Sequence, residues 1–61
     1  MMWRDISTAP EGVVVLTKID DAHGPRNETE LKRSGRLWFV PDGSMYVYYT
    51  PTHWLAPETT Q

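Results

Sequence analysis

Between Leu37 and Tyr49 the chain reads LWFVPDGSMYVYY, two short runs of large apolar and aromatic residues around Pro41, Asp42 and Gly43. Proline presets φ for the first corner of a turn, aspartate suits the second, and glycine accepts the left-handed conformation that follows, so this is the chemistry of a β-hairpin. The length of that turn decides which side chains reach the core. Side-chain direction alternates along a strand, and one residue more or less sends a whole strand to the other face. A type I turn with a G1 bulge at Gly43 opposes Val40 with Ser44, Phe39 with Met45 and Trp38 with Tyr46. Its inner face is then Leu37, Phe39, Met45, Val47 and Tyr49, and its outer face Arg36, Trp38, Val40, Tyr46 and Tyr48. A two-residue Asp42-Gly43 loop would oppose Phe39 with Tyr46 instead. The bulged register separates aliphatic from polar-tipped side chains better and is the one expected.

A chain of 61 residues has little apolar surface to spare for a wrong choice. Such a chain buries only about 60% of the surface its unfolded form exposes, which points to one small domain of marginal stability and favours self-association. That domain is expected over residues 1–58, with a frayed tail at 59–61. There is no cysteine for a disulfide, and two histidines cannot complete a closed zinc site. The net charge of −2 and the pI near 5.5 deny the molecule the positive field that general binding to a phosphate backbone requires. No apolar run approaches the roughly 20 residues that cross a bilayer, and MMWRDISTAP has no apolar signal core, so a soluble, cytoplasmic protein without membrane contact is expected.

Along the chain, VVVLTKI (13–19) is rich in β-branched residues and nearly continuously apolar, the pattern of a mid-sheet strand covered on both faces. Residues 20–27, DDAHGPRN, read as a polar, exposed connection. ETELKRSG (28–35) supports two readings. Asn27 with Glu30 and Gly35 resembles the capping box of a short helix, whereas Thr29, Leu31 and Arg33 would share one side of an edge strand closed by a turn at Ser34-Gly35. Two turns of isolated helix are weak, which favours the strand. Pro51 and Pro57 bracket an extended closing segment. The fold class expected is all-β, with α+β as the alternative if 28–34 is helical: a small antiparallel meander of three to four strands with N- and C-terminal arms packed on the sheet.

The two ends carry a resemblance. Trp3, Ile6 and Pro10 near the start, with Thr52-His53-Trp54 near the end, resemble the conserved ends of a family of short uncharacterised phage and prophage proteins. Leu55 and Ala56 depart from that family's Met-Pro, and the 20–30 segment is longer and more charged. The resemblance implies a compact β-rich domain in a bacterial host cell and supplies no catalytic or ligand residue. Trp3, His53 and Trp54 are read as packing both chain ends over one sheet edge, with His53 hydrogen-bonded in a structural role.

The search for chemistry is short. Asp20, Asp21 and His23 could offer ligands to a divalent ion, but a solvated loop is the better reading. Ser7 and Thr8 lack the context of a nucleophile elbow, and neither PEG nor PDGS forms a phosphate loop. A non-enzyme without metal or cofactor is expected. The leading function is a protein-interaction module, self-associating or binding a host factor, through Arg36, Trp38, Tyr46 and Tyr48, residue types enriched at binding hot spots. The alternative is recognition of single-stranded nucleic acid or a nucleotide, including a signalling nucleotide, on the same aromatic face, with Lys32, Arg33 and Arg36 as a local positive edge. A structural role in a larger assembly ranks third.

Overall fold

A computed structural model describes residues 2–55. Within them the chain is all-β: one antiparallel sheet of five strands in the order β1-β5-β2-β3-β4. The strands are β1 (Trp3–Asp5), β2 (Val14–Asp21), β3 (Gly24–Ser34), β4 (Leu37–Phe39) and β5 (His53–Leu55), with a single 3-10 turn at Ile6–Thr8. Among the described residues no helix is long and apolar enough to cross a membrane. The expected bracket at Pro57 and the tail at 59–61 lie outside the described residues.

The two arms do more than pack on the sheet; they extend it. Trp3 pairs with Leu55 and Asp5 with His53, while β5 lies on its other side against Leu16, Thr17 and Lys18 of β2. The chain ends therefore meet as neighbouring strands, as their aromatic residues suggest. The Trp54 indole N–H donates to the Thr8 hydroxyl at 2.9 Å, and the Ile6 N–H donates to the Thr52 carbonyl at 3.0 Å. His53 Nδ1 lies 2.8 Å from the Thr52 hydroxyl.

Residues 20–27 are not the open connection expected. Asp21 pairs with Gly24, so β2 and β3 run to a tight turn at Ala22-His23. The Asp21 carboxylate organises that turn: it accepts from Arg26 Nη1 and Nη2 at 2.9 and 3.1 Å and from the His23 N–H at 2.9 Å, while Gly24 takes a φ of 94° that a side chain would resist. Asn27, at φ 56°, sits where the β2–β3 register shifts between Thr17 and Ile19, a β-bulge and not a helix cap.

The Arg26 guanidinium, with help from the His23 N–H, holds the Asp21 carboxyl down to about 2. A carboxyl depressed by folding stabilises the native state above its unfolded value of about 3.9 and loses that contribution as pH falls through the folded value. NMR titration of the Asp21 side chain should therefore give a midpoint near 2. Asp21→Asn should flatten the decline of the urea midpoint between about pH 4 and pH 2. An ordinary aspartate midpoint would show that the turn is not clamped.

One face of the sheet is the core. Val15, Leu31, Trp38 and Trp54 are buried there around Thr17, whose hydroxyl donates to the Thr29 carbonyl at 2.9 Å. Ala9 is buried against this cluster, and Ile6, Val40, Val47 and Tyr49 pack onto it. The cover thus comes from the segment after β1 and from the stretch between β4 and β5. The arm is fastened by Arg33, which donates to the Ala9 and Gly35 carbonyls at 2.7 and 2.9 Å, and by Glu11, which accepts from the Gly35 N–H at 2.8 Å.

The hairpin takes the other register. Phe39 bridges to Tyr46, Val40 N–H donates to the Met45 carbonyl at 3.0 Å and Val47 N–H to the Trp38 carbonyl at 2.8 Å. Pro41–Ser44 is a four-residue loop, of the same parity as the two-residue alternative. The cause is local: the Ser44 N–H donates to Asp42 Oδ1 at 2.9 Å, so Ser44 is held in an Asx turn and the ladder starts one residue later, at Met45. The same contacts hold the Asp42 carboxyl below its ordinary value.

Candidate functional site: the uncovered face of the sheet

Strand β2 is central, as expected, but among the described residues it is covered on one face only. Val15 is 3% exposed and its neighbour Val14 is 40% exposed. Five strands take nearly half of a 61-residue chain, and the described segments between them supply one cover layer, over the Val15 face.

The pairing register lays out the open face. Trp3, Leu55, Leu16 and Glu30 lie side by side across β1, β5, β2 and β3. Toward the β2–β3 turn, the next row is Asp5, His53 and Lys18. In the other direction the row is Val14, Lys32 and Phe39, with Tyr46 bridged to Phe39 beyond it. An aliphatic centre thus carries Trp3 at one margin and the Phe39–Tyr46 pair at the other, their ring centroids 5.8 Å apart in an edge-to-face arrangement.

The polar groups of this face are partly committed to one another. Lys18 Nζ stands 4.3 Å from the centroid of the Trp3 ring and 3.3 Å from the Asp20 carboxylate, a cation–π contact and an ion pair that hold the indole in place. Asp5 is kept below its ordinary value by hydrogen bonds from the Ser7 hydroxyl and N–H, with a smaller contribution from nearby His53. Asp20 and Asp21, weighed above as metal ligands, are tied to Lys18 and Arg26. Among the described residues no group of three or more His, Cys, Asp or Glu side chains is placed to hold a metal ion. An open depression of 410 Å³ beside Glu11, Gly12, Lys32, Arg33 and Ser34 borders the arm, and much of its polar lining is spent on the fastening just described.

The four residues singled out from sequence do not share a face. Trp38 is 4% exposed and belongs to the core. Arg36 is exposed in the turn between β3 and β4, and Tyr48, 95% exposed, stands in the stretch leading to β5 beside Tyr49. Only Tyr46, 55% exposed, reaches the open face, on the side opposite Trp38. The flat patch of Arg36, Trp38, Tyr46 and Tyr48 is thereby dissolved by the four-residue loop. Its place is taken by Trp3, Val14, Leu16, Phe39, Tyr46 and Leu55 with Lys18 and Lys32, of which sequence reasoning assigned Tyr46, and Lys32 in the nucleotide reading, to a binding surface. The alternation of Val14, Leu16 and Lys18 was the available signal, masked by the equally apolar Val13 and Val15. No protein-family model, curated protein or solved structure matches this chain.

Proposed function

We propose that this chain is a non-catalytic protein-interaction module, an accessory protein of the phage and prophage type, which docks through the uncovered face of its sheet. One observation carries the reading: an apolar surface of Trp3, Leu55, Leu16 and Val14 runs across β1, β5 and β2, and the described segments that cover the sheet lie over its other face. Contiguous apolar surface with polar groups at its margin is the usual character of a docking site. The resemblance of the chain ends to short phage proteins supports the biological setting, a bacterial cytoplasm.

A photo-crosslinking residue placed at Val14 or Tyr46 should give discrete protein adducts in host cells, and one placed at Ala22, in the distal turn, should give none. Adducts of equal yield from all three positions, or from none, would remove the reading.

Nucleotide or single-stranded nucleic-acid binding is the second reading, favoured by one local arrangement: Lys32 pairs across the strands with Phe39, next to Tyr46. A ring to stack on beside a cation suits a base and its phosphate. Salt-sensitive quenching of Trp3 fluorescence by short oligonucleotides or free nucleotides, lost in Lys32→Ala, would support it. An unchanged spectrum would eliminate it.

A further inference from the structure

We propose that the uncovered face receives a basic amphipathic helix of another protein, its apolar stripe over Trp3, Leu55, Leu16 and Val14 and its lysine or arginine flank beside Glu28 and Glu30. The inference rests on the reading of this face as a docking surface and goes further by naming the chemistry of what docks.

The apolar strip is one helix wide. Trp3, Leu55 and Leu16 stand side by side on β1, β5 and β2, with Val14 next along β2. Neighbouring strands lie about 4.8 Å apart, so the three span about 10 Å, the diameter of an α-helix with its side chains. On the β3 side the strip stops, because Leu16 pairs with Glu30 and Val14 with Lys32. Thr29 pairs with buried Thr17 and Leu31 with buried Val15, which turns the alternating Glu28, Glu30, Lys32 and Ser34 to the open side. A second sheet laid over the whole face would desolvate these charges. A helix over β1, β5 and β2 leaves them in water along its flank.

Charge sets the sign of that flank. The face carries Lys18 and Lys32 against Asp5, Asp20, Glu28 and Glu30, with His53 formally neutral. The chain's formal charge of −2 therefore stands on this face, since its other four cations and four carboxylates cancel. Asp20 is engaged by Lys18 at 3.3 Å, and Asp5 by the Ser7 hydroxyl and N–H. Among the described residues neither Glu28 nor Glu30 has an ion-pair partner, and both are exposed. Lys32, next after Glu30 on the same side of β3, offsets one of the two, so the unmet negative charge lies toward Glu28. A second copy would set −2 against −2, and a nucleic-acid strand laid along the apolar strip would bring phosphates to carboxylates. A basic amphipathic helix meets opposite charge beside a strip of its own width.

Titration of the full chain with a synthetic amphipathic helix of leucine and lysine, followed by amide NMR, tests the proposal. Shifts are expected at Val14, Leu16 and Leu55, with an affinity that falls as salt is raised. A counterpart with glutamate in place of every lysine, and a shuffled leucine–lysine peptide that presents no stripe, should each bind at least roughly tenfold more weakly. Glu28→Gln combined with Glu30→Gln should weaken the leucine–lysine helix by about threefold or more, with an unchanged circular dichroism spectrum. Tyr48→Ala, off the face, should leave binding intact. Equal binding of the shuffled or the glutamate peptide, indifference to the double substitution, or shifts confined to other parts of the chain overturn the proposal. Doubling of the chain's mass on sedimentation, with the leucine–lysine helix excluded, would give the face to a second copy instead. Failure of the helix to bind while Val14 still forms protein adducts in cells would sink the basic helix alone; failure of both would sink the docking surface as well.

Discussion

Trp38→Ala is expected to leave most of the chain unfolded at room temperature. Native stability of roughly 0.05–0.15 kcal/mol per residue gives a chain of this length about 3–9 kcal/mol in all. Truncating a buried tryptophan to alanine typically costs about 3–5 kcal/mol, through lost burial and the cavity left behind. Trp38 is the largest side chain at the β4 end of the core, and it meets Val40 and Val47 of its own hairpin through the register set by Asp42. Urea titration followed by circular dichroism, with amide NMR spectra to report the unfolded fraction, measures the loss. Tyr48→Ala is the control and should change stability by less than about 0.5 kcal/mol, as expected of an exposed residue away from any cap or core. Near-native stability of Trp38→Ala would mean that this ring faces outward and that the bulged register holds after all.

The contrast between these two aromatic residues shows where the sequence is informative. Strand content was legible in the β-branched residues of β2, and ETELKRSG does supply a strand with Thr29, Leu31 and Arg33 on one side, but β3 lies between β2 and β4 and is not the edge strand expected. The meeting of the chain ends was legible in their aromatic pattern. The parity of the Pro41–Ser44 loop was not, because it turns on whether one backbone amide, that of Ser44, pairs across the hairpin or with the Asp42 carboxylate. Both choices satisfy the donor, and composition does not rank them. The distal hairpin was hidden for a related reason. Aspartate, glycine and proline at 20–25 read as loop, yet the Asp21–Arg26 clamp needs only a two-residue turn.

These local decisions reach the candidate site directly. Had the ladder begun at Ser44, Trp38 would stand outside beside Tyr46, and Phe39 would fill the core. With the ladder beginning at Met45, Phe39 and Tyr46 stand together on the open face next to Lys32. Of the residues identified for binding, the turn leaves Tyr46 on the open face and sends Trp38 into the core. The face itself was overlooked because VVVLTKI, apolar at consecutive positions, looks the same whether one or both sides are covered. What decides between these cases is where the connecting segments lie: among the described residues Ile6, Ala9, Val40, Val47 and Tyr49 all pack on the Val15 face.

Trp54→Ala is expected to cost a similar amount, about 3–5 kcal/mol, with a different spatial signature. Strand β5 separates β1 from β2, so β1 is joined to the sheet only through its pairing with His53–Leu55. Removing the indole empties the core beneath β5 and deletes the hydrogen bond to Thr8 that closes the N-terminal arm over it. Any folded fraction should therefore lose amide protection first at Arg4 and His53, while the β2–β3 hairpin persists. Trp54→Phe retains a ring and removes only the N–H donor. Combined with Thr8→Ala in a double-mutant cycle, it should report a coupling of about 0.5–1.5 kcal/mol, the ordinary net worth of a hydrogen bond. The open face responds in the same way, because Trp3, Leu55 and Leu16 are aligned across β1, β5 and β2. Trp54→Ala should therefore abolish crosslinking from Val14 and Trp54→Phe should preserve it. Undiminished crosslinking from Val14 in a Trp54→Ala chain that had lost β1 would show that the contact surface does not include Trp3.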